Sequence, residues 1–248
     1  MVTKRLIIAL TFNFGVLYRT RNFLPDYRYT SNFIDTWSVD EIVVLDITRN
    51  KDPNSEELFN KKLDEITTNC FVPLTVGGGI KNIEDVKKKM RLGADKVALN
   101  TAVIENPKLI SEISNSFGSQ AVVCSIDFKK KNDNYEVVSN NGSLNTGLCP
   151  IKWAKKVEKL GAGEILLTSV DRDGFLGGYE IDICKIIKNE VNIPVIILGG
   201  CGNWGHMYEA FNVANVDGVC TQNVFHFTEK SLKSAKDFLK KKNIYVRG

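Results

Sequence analysis

No run of apolar residues in this chain approaches the roughly 20 that a membrane helix needs, so a membrane role is not expected. Histidine is nearly missing: His206 and His226 each stand apart from other ligand-type residues, and helix-start or packing roles suit them better than catalysis. Six cysteines are present, Cys70, Cys124, Cys149, Cys184, Cys201 and Cys220, but none falls in a Cys-x-x-Cys pair. Four of them lie in or beside apolar runs and read as buried thiols of a reducing cytoplasm, so neither a metal nor a cofactor is expected. Excess charge is lacking as well, at +4 net, and the lysine clusters at 87–89, 129–131 and 240–242 read as solvated helix faces rather than a nucleic-acid surface. A β-branched run begins close to Met1, where a secretory signal would carry an apolar helical core, so a cytoplasmic protein is expected. No linker or low-complexity stretch divides the 248 residues, which read as one domain, 1–248.

What the chain does contain is itself, twice. RLIIALTF (5–12) reads like QAVVCSIDF (120–128), with Thr11 falling on Asp127. EIVVLDI (41–47) reads like EILLTSV (164–170), and VPLTVGGGI (72–80) like IPVIILGGC (193–201). The spacing is close to half the chain, too long for a solenoid unit and suited to a closed domain with two-fold pseudo-symmetry. Asp127 therefore has a symmetry mate without a carboxylate, Thr11.

Short β-branched runs alternate with amphipathic stretches from end to end. Strands are expected at 6–10, 41–46, 74–76, 96–99, 121–127, 165–168, 195–198 and 218–220, and helices at 83–92, 107–114, 151–160, 182–190, 205–211 and 231–241. The strands are nearly continuous in apolar residues, as parallel strands covered on both faces require. Gly93 and Gly161 follow helices where a left-handed cap is wanted. The pattern fits a (β/α)8 barrel of the TIM type. An open, doubly wound sheet is the alternative, and the half-chain repeat favours closure.

In such a barrel the functional face lies at the C-terminal strand ends. Gly77-Gly78-Gly79 follows the third strand and precedes a helix start at 82–85, a plausible backbone cradle for a phosphate. Asn100 and Thr101, ending the fourth strand, can supply side-chain donors. A second cradle is offered by Gly199-Gly200 with Gly202, completed by Thr221-Gln222-Asn223. Glycine runs also serve plain tight turns, but two at equivalent positions favour binding. Asp127 ends the fifth strand and is the candidate general acid/base, a loop-capping role being the alternative. Asp171-Arg172-Asp173-Gly174 adds carboxylates for substrate hydroxyls or for loop order. Thr11 can donate and accept a hydrogen bond but cannot hold a negative charge.

At these residues the chain resembles the cyclase (synthase) subunit of imidazole glycerol phosphate synthase, the HisF family. The most specific segments are PLTVGGGI (73–80), GADKVALNTAVIENP (93–107), FGSQAVV (117–123), GAGEILLTSVDRDG (161–174) and VFHF (224–227), and the similarity runs over essentially the whole chain. The resemblance implies a barrel whose N-terminal face docks a HisH-like glutaminase in a heterodimer, and through which ammonia reaches the opposite face. It places Arg5, Glu41, Lys96 and Glu164 in the family's ammonia gate. It places Gly79, Asn100, Thr101, Thr168, Asp173, Gly174, Gly200 and Asn223 around a phosphorylated small-molecule substrate, with Asp127 as one of the two catalytic aspartates.

Several positions depart from the family pattern. Thr11 replaces the first aspartate, Arg19 the lysine of the loop after the first strand, and Leu198, Gln222 and Asn223 smaller groups at the second phosphate site. Bulkier groups in an anion nest are expected to weaken or re-aim it. The resulting reading is a subunit of a two-component glutamine amidotransferase whose parent cyclase activity is impaired. The rival readings are an ammonia-channelling partner of a sugar amidotransferase that forms acetamidino sugars for surface polysaccharide, a non-catalytic scaffold that activates the glutaminase, and an isolated sugar-phosphate isomerase, which has no use for the gate.

Overall fold

The computed structural model of the protein describes residues 3–28, 39–222, 224 and 232–247. Its first half runs β1 (Arg5–Asn13), β2 (Val16–Arg21), β3 (Leu24–Arg28), β4 (Glu41–Asp46), α1 (Pro53–Thr67), β5 (Leu74–Gly77), α2 (Ile83–Arg91), β6 (Lys96–Leu99), α3 (Thr101–Glu105) and α4 (Lys108–Phe117). The second half runs β7 (Val122–Lys131), β8 (Asn134–Ser139), β9 (Leu144–Asn145), α5 (Pro150–Lys159), β10 (Glu164–Ser169), α6 (Ile181–Glu190), β11 (Val195–Leu198), α7 (Trp204–Val213), β12 (Gly218–Thr221) and α8 (Leu232–Lys241).

Strands β1, β4, β5, β6, β7, β10, β11 and β12 pair in parallel, each with the next, and β12 returns to β1 between Arg5↔Gly218 and Ile8↔Thr221. The circle is closed, so this is a (β/α)8 barrel and the open-sheet alternative is excluded. Closure begins at the strand starts. Asp40, Asp95 and Asp217 precede alternate barrel strands, and each accepts the N–H of the neighbouring strand, Leu6, Leu74 or Val195, at 2.8 Å. The fourth such position is Gly163, because a Cβ there would meet the Ser119 carbonyl oxygen at 2.2 Å.

Side chains alternate in and out along each strand, and the outward set packs against the helices. The inward set forms layers along the axis: a charged floor, then an apolar collar of Ile7, Ala9, Val43, Ala98, Val123, Leu166, Ile196 and Cys220, then a polar rim. Thr11, Asp127 and Thr168 belong to that rim and are buried. Among the described residues no helix is long and apolar enough to cross a membrane.

The two half-barrels also share an embellishment that the strand pattern does not foretell. After β1 the chain turns back as β2, pairing Thr11 with Tyr18, and after β7 it turns back as β8, pairing Asp127 with Val138. Helix α1 was likewise not expected. Its buried face is only Ser55, Phe59 and Leu63, and its start is fixed instead by Asp52, whose side chain accepts from the Ser55 N–H, with Pro53 in the first turn. Gly93 and Gly161 take the left-handed cap conformation, at φ +94° and +102°. Cys124, Cys184, Cys201 and Cys220 are buried free thiols. Lys89 departs from the expected solvated face: it is buried, donates to Asn60 Oδ1 at 2.6 Å and lies over the Phe59 ring.

Candidate active site

The rim encloses a cavity of about 820 Å³ at the C-terminal strand ends. Nine of the proposed site residues line it together: Thr11, Gly79, Asn100, Thr101, Asp127, Thr168, Asp173, Gly174 and Gly200. Asn223 lies outside the described residues, as does His226.

Asp127 projects inward from β7. Its Oδ1 accepts the Ser125 hydroxyl at 2.9 Å, and the Thr168 hydroxyl also bonds to it. Burial pushes its carboxyl up to about 7 against the pull of those two donors, and the charge of Asp173 adds to the rise. A group that titrates near neutrality can both give and take a proton at working pH.

The equivalent position on β1 is neutral and internally satisfied. Thr11 donates to the Tyr18 carbonyl, its hydroxyl lies 3.2 Å from Gln222 Oε1, and Gln222 Nε2 donates to that same carbonyl at 2.6 Å. In the other half-barrel Asn100 Nδ2 donates to the Val138 carbonyl at 3.3 Å, and Val138 is the strand partner of Asp127 just as Tyr18 is of Thr11. Gln222 is therefore the two-fold counterpart of Asn100, tying a barrel strand to the hairpin beside it. Here the expectation is corrected: its amide is turned to the hairpin, not into the second glycine cradle. Asn100 also donates to the Ser125 carbonyl at 3.2 Å, and Thr101 Oγ accepts the Asn140 N–H at 3.0 Å, so both hold the second hairpin at the cavity edge.

The two glycine cradles differ in access. Gly78 and Gly79 have φ of +98° and +75°, and Gly199 and Gly200 +97° and +104°, so the turns repeat as the sequence does. Gly79 is exposed, and a Cβ built on it would meet only the end of a side chain, Lys51 Nζ at 2.5 Å. Gly200 is buried, and a Cβ there would meet the Gly178 carbonyl oxygen at 2.1 Å. The stretch 172–178 covers the second cradle, with the Gly178 N–H donating to the Gly200 carbonyl at 2.7 Å and Arg172 held aside by Glu180. The Gly202 N–H is taken by His206 Nδ1 at 3.1 Å, which gives that histidine the helix-start role expected of it.

Asp171 and Asp173 serve loop order. Asp171 accepts the Lys130 N–H at 2.7 Å. Asp173 accepts the Thr20 hydroxyl at 3.1 Å and the Phe23 N–H at 3.0 Å, anchoring the β2–β3 hairpin over the cavity. Gly174 is required there, since a Cβ would stand 2.5 Å from the Thr20 carbonyl oxygen. Arg19 pairs with Asp26 across the same hairpin. The charged cavity residues missed from sequence include Asp46 at the end of β4, Arg49, and Lys51, which pairs with Asp46 Oδ2 at 2.5 Å. Arg49 and Lys51 sit in a polar stretch with no motif to mark it, and Asp46 closes an otherwise apolar strand.

At the other end of the axis Arg5, Glu41, Lys96 and Glu164 form a closed ring of alternating charge. Arg5 bonds to Glu41 at 2.8 Å and to Glu164, while Lys96 bonds to Glu41 at 2.8 Å and to Glu164 at 2.9 Å. Thr75 adds a donor to Glu41 at 3.0 Å. Burial works against the Arg5 charge, but the two carboxylates outweigh it and hold the guanidinium above its ordinary value. Each carboxylate is satisfied by both cations, the condition under which a buried charge layer is tolerated.

Fold and cavity together define an enzyme-type, half-repeated (β/α)8 barrel with its pocket at one end of the axis and a charged floor at the other. A family model described as "Histidine biosynthesis protein" matches residues 22–231. The imidazole glycerol phosphate synthase subunit HisF of Clostridium botulinum (strain Okra / Type B1) is 43% identical over 256 residues, covering 100% of both chains. The proteins of that name from Saccharolobus solfataricus and Sulfurisphaera tokodaii are 43% and 44% identical, again over 100% of both chains. The chain belongs to the HisF family of histidine biosynthesis proteins.

Proposed function

We propose that the chain is the synthase-type subunit of a two-component glutamine amidotransferase of the imidazole glycerol phosphate synthase kind, working as one barrel domain in the cytoplasm. A HisH-like glutaminase docks at the N-terminal face and releases ammonia, which passes the charged ring, travels along the axis and reacts with a phosphorylated acceptor at the opposite face. The observation that carries the reading is the placement of the closed ring of Arg5, Glu41, Lys96 and Glu164 on the barrel axis below the cavity that holds Asp127. An isolated sugar-phosphate isomerase has no use for such a floor. Asp127 moves the proton, and Gly79, Asn100 and Thr101 hold one phosphate end, with Thr168, Asp173 and Gly174 at the substrate beside it; Gly200 and Asn223 take a second phosphate end only once the covering stretch 172–178 moves off Gly200.

One observation favours a diverged acceptor. Thr11, Gln222 and the Tyr18 carbonyl form a satisfied neutral group where the family's first catalytic aspartate stands. A second reading follows, in which ammonia goes to a sugar-type acceptor handled together with a sugar amidotransferase in surface (lipo)polysaccharide synthesis. Glutamine hydrolysis by a co-expressed glutaminase, measured with and without this subunit, tests the partner. Association with stimulation supports both readings, and no association defeats them. Stimulation without ammonia transfer to either acceptor class leaves the scaffold role.

A further inference from the structure

Beside the first cradle stands a cation to which the acid/base and gate residues give no task. Lys51 follows β4 in a polar stretch and lines the cavity, with its Nζ at the Asp46 carboxylate. That ammonium lies against Gly79, so close that a Cβ on the glycine would meet it at 2.5 Å. The approach is by the tip of a flexible side chain, not by backbone. Asp46 is buried in the cavity wall, and its other oxygen accepts the Thr48 N–H at 3.1 Å. Over the second cradle, among the described residues, backbone fills the space above Gly200, and the nearby Arg172 is bonded by Glu180.

We propose that Lys51 is an anion-binding residue of the first cradle, which leaves Asp46 and pairs with the phosphate end of a phosphomonoester seated at Gly78-Gly79. The proposal rests on reading those glycines as a phosphate cradle. A lysine parked on a neighbouring carboxylate stays charged and within reach, and a dianionic phosphate offers it more charge than one carboxylate does. The exchange also frees Asp46 Oδ2 from its cation on the cavity wall, so that a bound phosphate changes the charge pattern its own substrate meets.

The test follows the backbone amides of Gly78 and Gly79 by NMR while inorganic phosphate is titrated into the full chain. Wild type gives saturable shifts at both amides. Lys51→Met removes a charge-assisted hydrogen bond to the anion and weakens that binding about tenfold to a hundredfold, while Lys51→Arg stays within a few-fold of wild type. Lys51→Met also bares the Asp46 charge, so Lys51→Met/Asp46→Asn separates direct pairing from repulsion. Weak binding that persists in the double variant supports direct pairing, and full recovery overturns it. Unchanged affinity in Lys51→Met overturns the proposal and leaves the cradle standing, whereas no shift at Gly78 and Gly79 in wild type overturns the cradle and the proposal with it.

Discussion

Asp127→Asn should make this protein more stable at alkaline pH while removing the proposed proton-transfer group. Burial raises the Asp127 carboxyl from an ordinary 3.8 to about 7, so the folded state holds a proton that the unfolded chain releases. A raised carboxylate contributes stability at low pH, and that contribution falls as pH climbs from about 4 to about 7, where the cost of ionising the buried group is complete. The gap between 3.8 and 7 corresponds to about 4 kcal/mol at ~1.36 kcal/mol per pKa unit. Relaxation and water entry bring the measurable value to ~2–4 kcal/mol. Asparagine keeps an acceptor for the Ser125 hydroxyl and carries no charge. At ~2–4 °C per kcal/mol for a chain of this size, Tm at pH 8 should rise by at least ~4 °C over wild type, with little difference at pH 4. Thermal unfolding followed by circular dichroism across pH 4–8 reads this directly. A parallel pair of Tm curves, with no widening above pH 5, would refute the buried, raised carboxyl and with it the acid/base assignment.

Two further substitutions probe the neutral half of the site and the cradles. Thr11→Asp sets a carboxylate against the Tyr18 carbonyl and Gln222 Oε1, so it should cost ~1–3 kcal/mol at pH 8 and less at pH 5; chemical denaturation at both pH values checks this, and Thr11→Asp/Gln222→Ala should recover part of the loss. Gly79→Ala meets only the movable Lys51 tip and should cost ~1–2 kcal/mol for its left-handed backbone, whereas Gly200→Ala strikes the Gly178 carbonyl and should cost more; denaturant midpoints that rank them the other way would remove the difference in access between the cradles.

The eight barrel strands were legible because each is buried on both faces and so reads as an apolar run, Ile42–Val44 and Ile165–Leu167 among them. Strand-end glycines and Asp127 were legible for a related reason, since small or charged residues bound those runs at the charged floor and at the rim. The first hairpin was not, because β3 is exposed along its length and carries no inward face to impose a period. Lys89 was misread because its burial depends on α1, whose sparse apolar stripe gave no sign of a neighbour. Lys51 and Asp46 escaped for want of a spacing rule: their pairing across the β4–α1 turn brings a charge to Gly79 only after the barrel closes. Gln222 was seen but misjudged, because its side chain is aimed by the Tyr18 carbonyl, far away in sequence.

Ammonia-driven turnover of the histidine-pathway ribonucleotide by the subunit alone tests the central claim most directly, since free ammonia bypasses the proposed glutaminase partner and axial path. With Thr11 locked into a neutral network, Asp127 lacks a carboxylate at its two-fold position on β1, and the loss of one member of the proposed acid/base pair lowers the rate by ~10²–10⁴. The expected result is turnover at least ~100-fold below that of a HisF subunit carrying both aspartates, raised only in part by Thr11→Asp. Turnover equal to such a subunit by the unmodified chain would contradict the account and make the parent cyclase reaction its activity.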